Sequence, residues 1–459
     1  MRRWWLLAGV VAAGAAAAGV LLFGAGGPAG ARPERFILIV VDSLRADHLG
    51  CYGSEQGLTP NIDAFAAQAL RFDNAYAASS YTFASNAALL TSKYPHEVRG
   101  DQPSHVADEA TTLAEYFKAA RYDTAAFSAH FIISRTGNFQ QGFDTFHHAD
   151  RQDDAIVKRC CNWLSRHRDG KYFVMLYLWD PHLPYRSQRI TPELQAKLAR
   201  VRAKVRTGDP PRALDLRRPK ITPNPSGDKE CSMLEVEVLH ELYEGAIEQA
   251  DLRVGRVLRE IGDDDGAVVA VVSDHGEEFL DHGGLRHMLT LYQELLHIPC
   301  IVRVPGEAPR VVRSPVSNID LTPTFLQLAG IAPPDGLRGR AVISDFETRP
   351  IFSECGWIRS YDIDRYGVRL GDQTLVYTVH DLPAEPRVPA GGVWERYDLG
   401  SDPGQHRPLP IEPASKLRGL LQDYYNQTQE RLKPYRSIQI KKLNKDMLEK
   451  LRALGYTAN

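Results

Sequence analysis

Phe36-Ile37-Leu38-Ile39-Val40-Val41 is an apolar run with no polar residue to give it a wet face. Tyr172-Phe173-Val174-Met175-Leu176-Tyr177-Leu178 and Ala267-Val268-Val269-Ala270-Val271-Val272 repeat the pattern. Strands buried on both faces read this way, and they belong to parallel sheets covered by helices. Each run ends in groups that chemistry can use. Asp42 follows the first, Trp179-Asp180-Pro181-His182 the second, and Ser273-Asp274-His275 the third. In open α/β sheets, ligands bind at the carboxyl ends of strands. The same three stretches therefore constrain both fold and site.

Two further strands are expected at Thr124–Phe127 and Ile298–Val304. Helices are expected from an opening at Thr59–Asp63 through about Ala69, over Leu113 to Ala120, closing over Asn162 to His167, over Leu239 to Ile261, and after Asn318–Thr324. This alternation predicts an α/β fold with a mostly parallel sheet flanked by helices. From about residue 351 the pattern changes to alternating strands, Arg365–Leu370, Thr374–Thr378 and Trp394–Leu399, then a helix over 414–432. The reading is a catalytic domain over 33–350 and a smaller C-terminal antiparallel α+β subdomain over 351–459. Within the first, 186–236 reads as a variable basic insertion rich in Arg and Lys and poor in regular structure. It follows His182 directly. It reads either as a roof that recruits an anionic substrate or lipid headgroup, or as a solvated insertion.

Arg2 and Arg3 precede an apolar run that continues to about Phe23. Residues 1–31 read as a membrane anchor with its C-terminal side outward. Ala29-Gly30-Ala31 offers the alternative of a cleaved signal peptide. Either way the body is expected to be exported, anchored on the periplasmic or extracellular face or secreted. The formal net charge of -2 points to no nucleic-acid partner. The six cysteines form no CxxC pair and no zinc spacing; their even number permits disulfides without assigning any.

The stretch Ser79 to Ser92 runs from two serines into an alanine- and leucine-rich helix, with Thr82 at or just before its start. Free backbone N–H groups there favour anions. Taken alone, Thr82 or Ser85 reads as a helix cap.

Together with the three strand ends, this stretch resembles the sulfatases, within the alkaline phosphatase superfamily. The resemblance rests on Val40-Val41-Asp42-Ser43-Leu44-Arg45-Ala46-Asp47-His48-Leu49-Gly50-Cys51-Tyr52-Gly53, Thr59-Pro60-Asn61-Ile62-Asp63, Ser273-Asp274-His275-Gly276-Glu277, His287 with Tyr292-Gln293-Glu294, and Tyr397-Asp398-Leu399. It implies an alkaline-phosphatase-like fold and one divalent metal ion (calcium, manganese, magnesium or zinc) bound by Asp42, Asp274 and His275. It places Thr82 at the nucleophile position. It gives His182 and His287 the task of holding substrate oxygens or protonating the leaving group, and it makes Asn86 and His130 substrate-binding candidates. Asp47 and Arg45 would hold the first loop together. Glu277, Asp281 and His282 would lie behind the site or on the surface.

The departures are chemical. Threonine cannot become the formylglycine of true sulfatases. Ser43 stands for a second metal-motif aspartate, Asn86 for an arginine, Ala84 for a proline and Ser92 for a glycine. The segment Ser128-Ala129-His130-Phe131 lacks the family's lysine. The expected function is a metal-dependent hydrolase of sulfate or phosphate esters acting through covalent Thr82. The alternatives are a phosphotransferase that modifies a lipid or cell-envelope glycan, and a non-catalytic binding protein. The expected partners are an anionic ester substrate, on a lipid or glycan, and the membrane through the N-terminal segment.

Overall fold

The computed structural model describes residues 32–98, 104–206, 233–262, 266–343, 347–355, 363–380, 392–412 and 415–436. An eight-stranded sheet carries the larger part. In spatial order its strands are Arg310–Val312, Leu70–Phe72, Cys300–Arg303, Ala267–Ser273, Arg35–Val41, Tyr172–Leu178, Asp123–Ser128 and Thr145–His148. The three apolar runs are the three adjacent central strands, and all three are fully buried from Phe36, Tyr172 and Ala267 onward. They pair in parallel, and Val41 stands opposite both Leu178 and Ser273. Asp42, Trp179 and Asp274 therefore leave the sheet at one level.

The expected mostly parallel sheet has one strand running against the rest. Cys300–Arg303 is antiparallel to both its neighbours. Its chain arrives from the loop at the carboxyl end of Ala267–Ser273, so it must run back down. The short strands Leu70–Phe72, Thr145–His148 and Arg310–Val312 carry too few apolar residues to stand out in the sequence.

After Arg349, four strands form a separate antiparallel sheet: Ile351–Cys355, Ile363–Leu370, Gln373–His380 and Val393–Asp398. The helix Lys416–Arg436 lays Leu417, Leu421 and Tyr424 on Tyr366, Val368 and Leu375 of that sheet. Ile351, Cys355 and Val376 join the main apolar core, so the two sheets share buried contacts.

A buried ion pair fastens this sheet to the larger part of the chain. His96 Nδ1 donates to Glu354 Oε2 at 3.1 Å, and Tyr424 O–H donates to the same oxygen at 3.2 Å. Burial lowers the His96 pKa, but Glu354 outweighs it and the net shift is upward. A raised folded-state pKa contributes stability below the unfolded value, and that contribution fades as pH rises through the folded value. His96→Gln is expected to cost about 3 kcal/mol at pH 6. The gap from the wild type should narrow by pH 9, as read by chemical denaturation at the two pH values.

The segment expected to lack regular structure begins as a helix, Pro192–Arg206. Leu194 and Val201 pack on Val238 and Leu242 of the long helix Met233–Ile261. The apolar spacing of Leu194, Leu198 and Val201 is helical, but the surrounding basic residues mask it. Lys197 pairs with Glu241 at 2.5 Å and Arg189 with Glu248 at 3.0 Å, so the long helix neutralises part of that positive charge. Residues 207–232 lie outside the described residues. So do 1–31, the segment read as an anchor or signal peptide. Among the described residues no helix is long and apolar enough to cross a membrane. Cys51, Cys160, Cys161, Cys300 and Cys355 are unpaired, and Cys231 lies outside the described residues.

Candidate active site

Thr82 is the first residue of the helix Thr82–Thr91, whose residues are all buried. Tyr81 occupies the cap position and makes no side-chain cap bond, so neither Thr82 nor Ser85 serves as the cap. Ser85 Oγ donates to the Asp274 carbonyl at 2.6 Å, which pins the helix start to the end of Ala267–Ser273. Thr82 Oγ1 lies 3.1 Å from His275 Nε2. The other ring nitrogen fixes the tautomer. His275 Nδ1 lies 2.8 Å from the Gly276 carbonyl, which can only accept, so Nδ1 carries the proton. Nε2 then offers a lone pair, and Thr82 O–H donates to it.

Gly276 is required for this turn. A Cβ there would lie 1.9 Å from the Glu294 carbonyl oxygen. Gly276→Ala is expected to push the His275 loop off Glu294, lowering the melting temperature and the activity together, as read by thermal unfolding and ester turnover.

Asp42 and Asp274 face this corner with unequal support. Asp274 Oδ1 accepts from the N–H groups of Ser43 (3.2 Å) and His275 (2.9 Å). Its Oδ2 accepts from Asn86 Nδ2 and Tyr177 O–H, both at 2.8 Å. Asp42 Oδ1 accepts from Ser43 Oγ at 3.0 Å, the Tyr177 hydroxyl also stands near enough to steady the charged Asp42, and Asp42 Oδ2 has no partner among the described residues. Burial and the neighbouring Asp274 charge push the Asp42 pKa well up. Ser43 thus supports both carboxylates from the place where the family pattern has an aspartate. Its φ of 57° is unusual for a residue other than glycine.

Asn86 donates to Asp274 and also to the Thr82 carbonyl at 2.7 Å. Both its amide hydrogens are used within the site.

His130, His182 and His287 complete the corner. His130 Nδ1 accepts from the Ile132 N–H at 3.0 Å, so its proton sits on Nε2. That Nε2 stands 3.6 Å from Asp42 Oδ2, and neither atom has a hydrogen bond. Trp179 stacks on the His130 ring at 4.2 Å. His182 Nδ1 donates to the Leu183 carbonyl at 2.5 Å, and His287 Nδ1 faces Glu277 Oε1 at 2.9 Å. Their rings lie 4.9 Å apart, and His287 lies 4.3 Å from His275. Burial lowers the pKa of His130, His182 and His287.

Burial pushes the Glu277 pKa up to about 7. Glu277 is a buried partner of His287 and not a surface group. Arg45 and Asp47 pair at 2.7 Å, and Asp281 joins them at 3.0 Å. His282 bonds Glu294 at 2.8 Å, away from Thr82.

The structure therefore brings Thr82, Asp42, Asp274, His275, His130, His182 and His287 to one corner. Sequence reasoning missed Tyr177, which sits inside an apolar run and reads there as core. Asp42, Asp274 and His275 place one donor atom each within 4.8 Å of the others. Two carboxylates and an imidazole suit a divalent cation, and the unpartnered Asp42 Oδ2 is the kind of atom such a cation satisfies.

The sulfatase family pattern matches residues 34–331, more than half of the chain. The N-acetylglucosamine-6-O-sulfatase of Bacteroides thetaiotaomicron is 24% identical over 487 residues, covering 85% of this chain and 85% of that protein. Among solved structures, BT4656 in complex with its substrate D-glucosamine-2-N,6-O-disulfate superposes with a TM-score of 0.65 at 21% identity, covering 89% of this chain and 99% of that one. The phosphonate monoester hydrolase of Agrobacterium radiobacter superposes with a TM-score of 0.62 at 17% identity, covering 88% and 96%.

Proposed function

The chain belongs to the sulfatase family and is an ester hydrolase of the alkaline phosphatase superfamily, and from that premise we propose that it cleaves a singly charged ester through a covalent Thr82 intermediate. One divalent ion would be held by Asp42, Asp274 and His275. The carrying observation is the Thr82 hydroxyl on His275 Nε2 at 3.1 Å, with Asp42 Oδ1 and Asp274 Oδ2 3.8 and 3.7 Å from the same nitrogen. When bound, the ion supplies Lewis acidity that lowers the pKa of a neighbouring hydroxyl and offsets charge on the ester.

The chain's own residues do the rest. Thr82 Oγ1, its proton released to solvent, attacks the central phosphorus or sulfur, and the bond to the leaving alcohol breaks. The leaving oxygen takes its proton from His182 or His287, whose burial-lowered pKa the bound ester anion shifts back up. An acceptor hydroxyl, water for hydrolysis, then attacks in line, passes its proton to that imidazole and displaces Thr82, which takes a proton back from solvent. His130 Nε2–H is placed to donate to an oxygen of the transferred group. The backbone N–H groups at the helix start add positive potential.

Charge balance selects the ester. The two carboxylates and one divalent ion sum to zero. The family's arginine and lysine positions carry Asn86 and the lysine-free segment Ser128–Phe131. A doubly charged phosphate monoester would therefore be poorly neutralised.

Phosphorus is favoured by the nucleophile. A threonine ester cannot expel its group by collapsing to a carbonyl, and a bound phosphoryl group yields to in-line attack. A nitrophenyl phosphodiester or phosphonate monoester is expected to exceed nitrophenyl phosphate and nitrophenyl sulfate by at least about tenfold in kcat/KM. The second reading is a sulfate ester on a saccharide, favoured by the similar N-acetylglucosamine-6-O-sulfatase and BT4656. A clear preference for the sulfate would establish it.

The apolar run before Phe23 supports an exported enzyme, anchored or released, acting on a saccharide or lipid headgroup outside the cytoplasm. A reporter fused after Asn459 should be active only outside the cytoplasm; a cytoplasmic signal would refute export.

A further inference from the structure

We infer that Tyr177 is a positioning residue for the metal site, setting the affinity for the divalent ion through Asp274. The inference rests on the functional reading above. Tyr177 lies in the central strand Tyr172–Leu178, opposite Val40, the residue two before Asp42. Its side chain is fully buried. Its hydroxyl donates to Asp274 Oδ2 at 2.8 Å.

Asp274 Oδ2 is the oxygen that faces His275 Nε2, 3.7 Å away, and so belongs to the ligand set. Backbone groups hold the other oxygen, and those cannot be altered by a side-chain change. The orientation of Oδ2 rests on two neutral side chains, Asn86 and Tyr177. Asn86 also ties back to the Thr82 carbonyl, so its position follows the helix. Tyr177 follows the sheet. The two donors thus clamp one carboxylate oxygen between the helix that presents the nucleophile and the strand beside Asp42. Partners that orient metal-binding carboxylates commonly govern metal affinity. A neutral donor does this without adding a positive charge that would repel the ion.

The test compares the full-length wild type with Tyr177→Phe, which keeps the ring and its packing and removes one hydroxyl. Manganese and zinc dissociation constants are measured by competition with a chelator, and ester turnover is followed against metal concentration. The expected result is metal affinity weakened by about 10–100-fold, with kcat restored to within about threefold at saturating metal. Rescue by metal separates positioning from a direct part in the reaction.

A second measurement needs no variant. Metal addition to the wild type should perturb the near-ultraviolet absorbance of a buried tyrosine, because the phenol bonds a carboxylate that takes up the ion. Metal affinity within about twofold of the wild type, a kcat loss that saturating metal does not repair, or a silent tyrosine band would each overturn the role of Tyr177. A wild type that holds no divalent ion would instead overturn the functional reading, and the role of Tyr177 with it.

Discussion

Thr82→Ala is expected to lower kcat by about 10³-fold or more, in the range seen when a nucleophile is removed. The helix Thr82–Thr91 should survive the change. Its cap is Tyr81, alanine favours a helix, and the lost hydroxyl bond to His275 is one of several contacts holding that corner. Activity should therefore fall without a matching fall in melting temperature. Thr82→Ser should keep appreciable activity, because it retains the hydroxyl at the same helix start. Intact-mass analysis after brief exposure to a phosphodiester should show an adduct on the wild type and none on Thr82→Ala. Near-normal turnover by Thr82→Ala would rule out the covalent route.

The central strands and the residues at their ends were legible for one reason. Burial on both faces forces continuous apolar sequence, so the polar residue that ends such a run stands out. Asp42, His182, Asp274 and His275 were found that way, and the structure gathers them in one corner. Ser92 was legible only as a departure from a family glycine. The structure gives the reason for the pattern: Ser92 ends the Thr82 helix in the left-handed region, with φ of 52°. A glycine would sit there without strain.

Tyr177 was not legible. A tyrosine in an apolar run looks like packing, and only its hydroxyl partner reveals a further role. The helix Pro192–Arg206 in the basic segment after His182 was hidden for the opposite reason. Its charges dominate the sequence, yet Lys197 and Arg189 face glutamates of the neighbouring helix. The antiparallel direction of Cys300–Arg303 follows from where its loop begins, which local composition does not encode.

Asp42→Asn is expected to abolish stoichiometric metal binding and, in the presence of a chelator, to raise the melting temperature. The two effects have one cause. Asp42 is fully buried, one of its oxygens has no partner among the described residues, and the Asp274 carboxylate stands beside it. Its pKa is raised by that burial and by that neighbour, so the charged form is disfavoured in the folded state relative to the unfolded one. The sign follows: with a raised carboxylate pKa the folded state holds the proton longer, so stability falls as pH rises through the unfolded value and the full cost is reached above the folded one. Asparagine keeps the shape and removes the charge. A gain of about 1–2 kcal/mol is expected for the metal-free protein, in keeping with the strain that functional sites carry.

Asp274→Asn should behave differently, although it too should lose the metal. Four donors converge on Asp274, and an asparagine amide would turn its own N–H₂ against two of them. That variant should melt lower than the wild type even with chelator present. Metal content measured on purified protein and thermal unfolding in chelator test both variants together. Equal melting shifts for the two would show that the carboxylates are held alike, against the unequal bonding described above. Retention of stoichiometric metal by either would remove it from the ligand set.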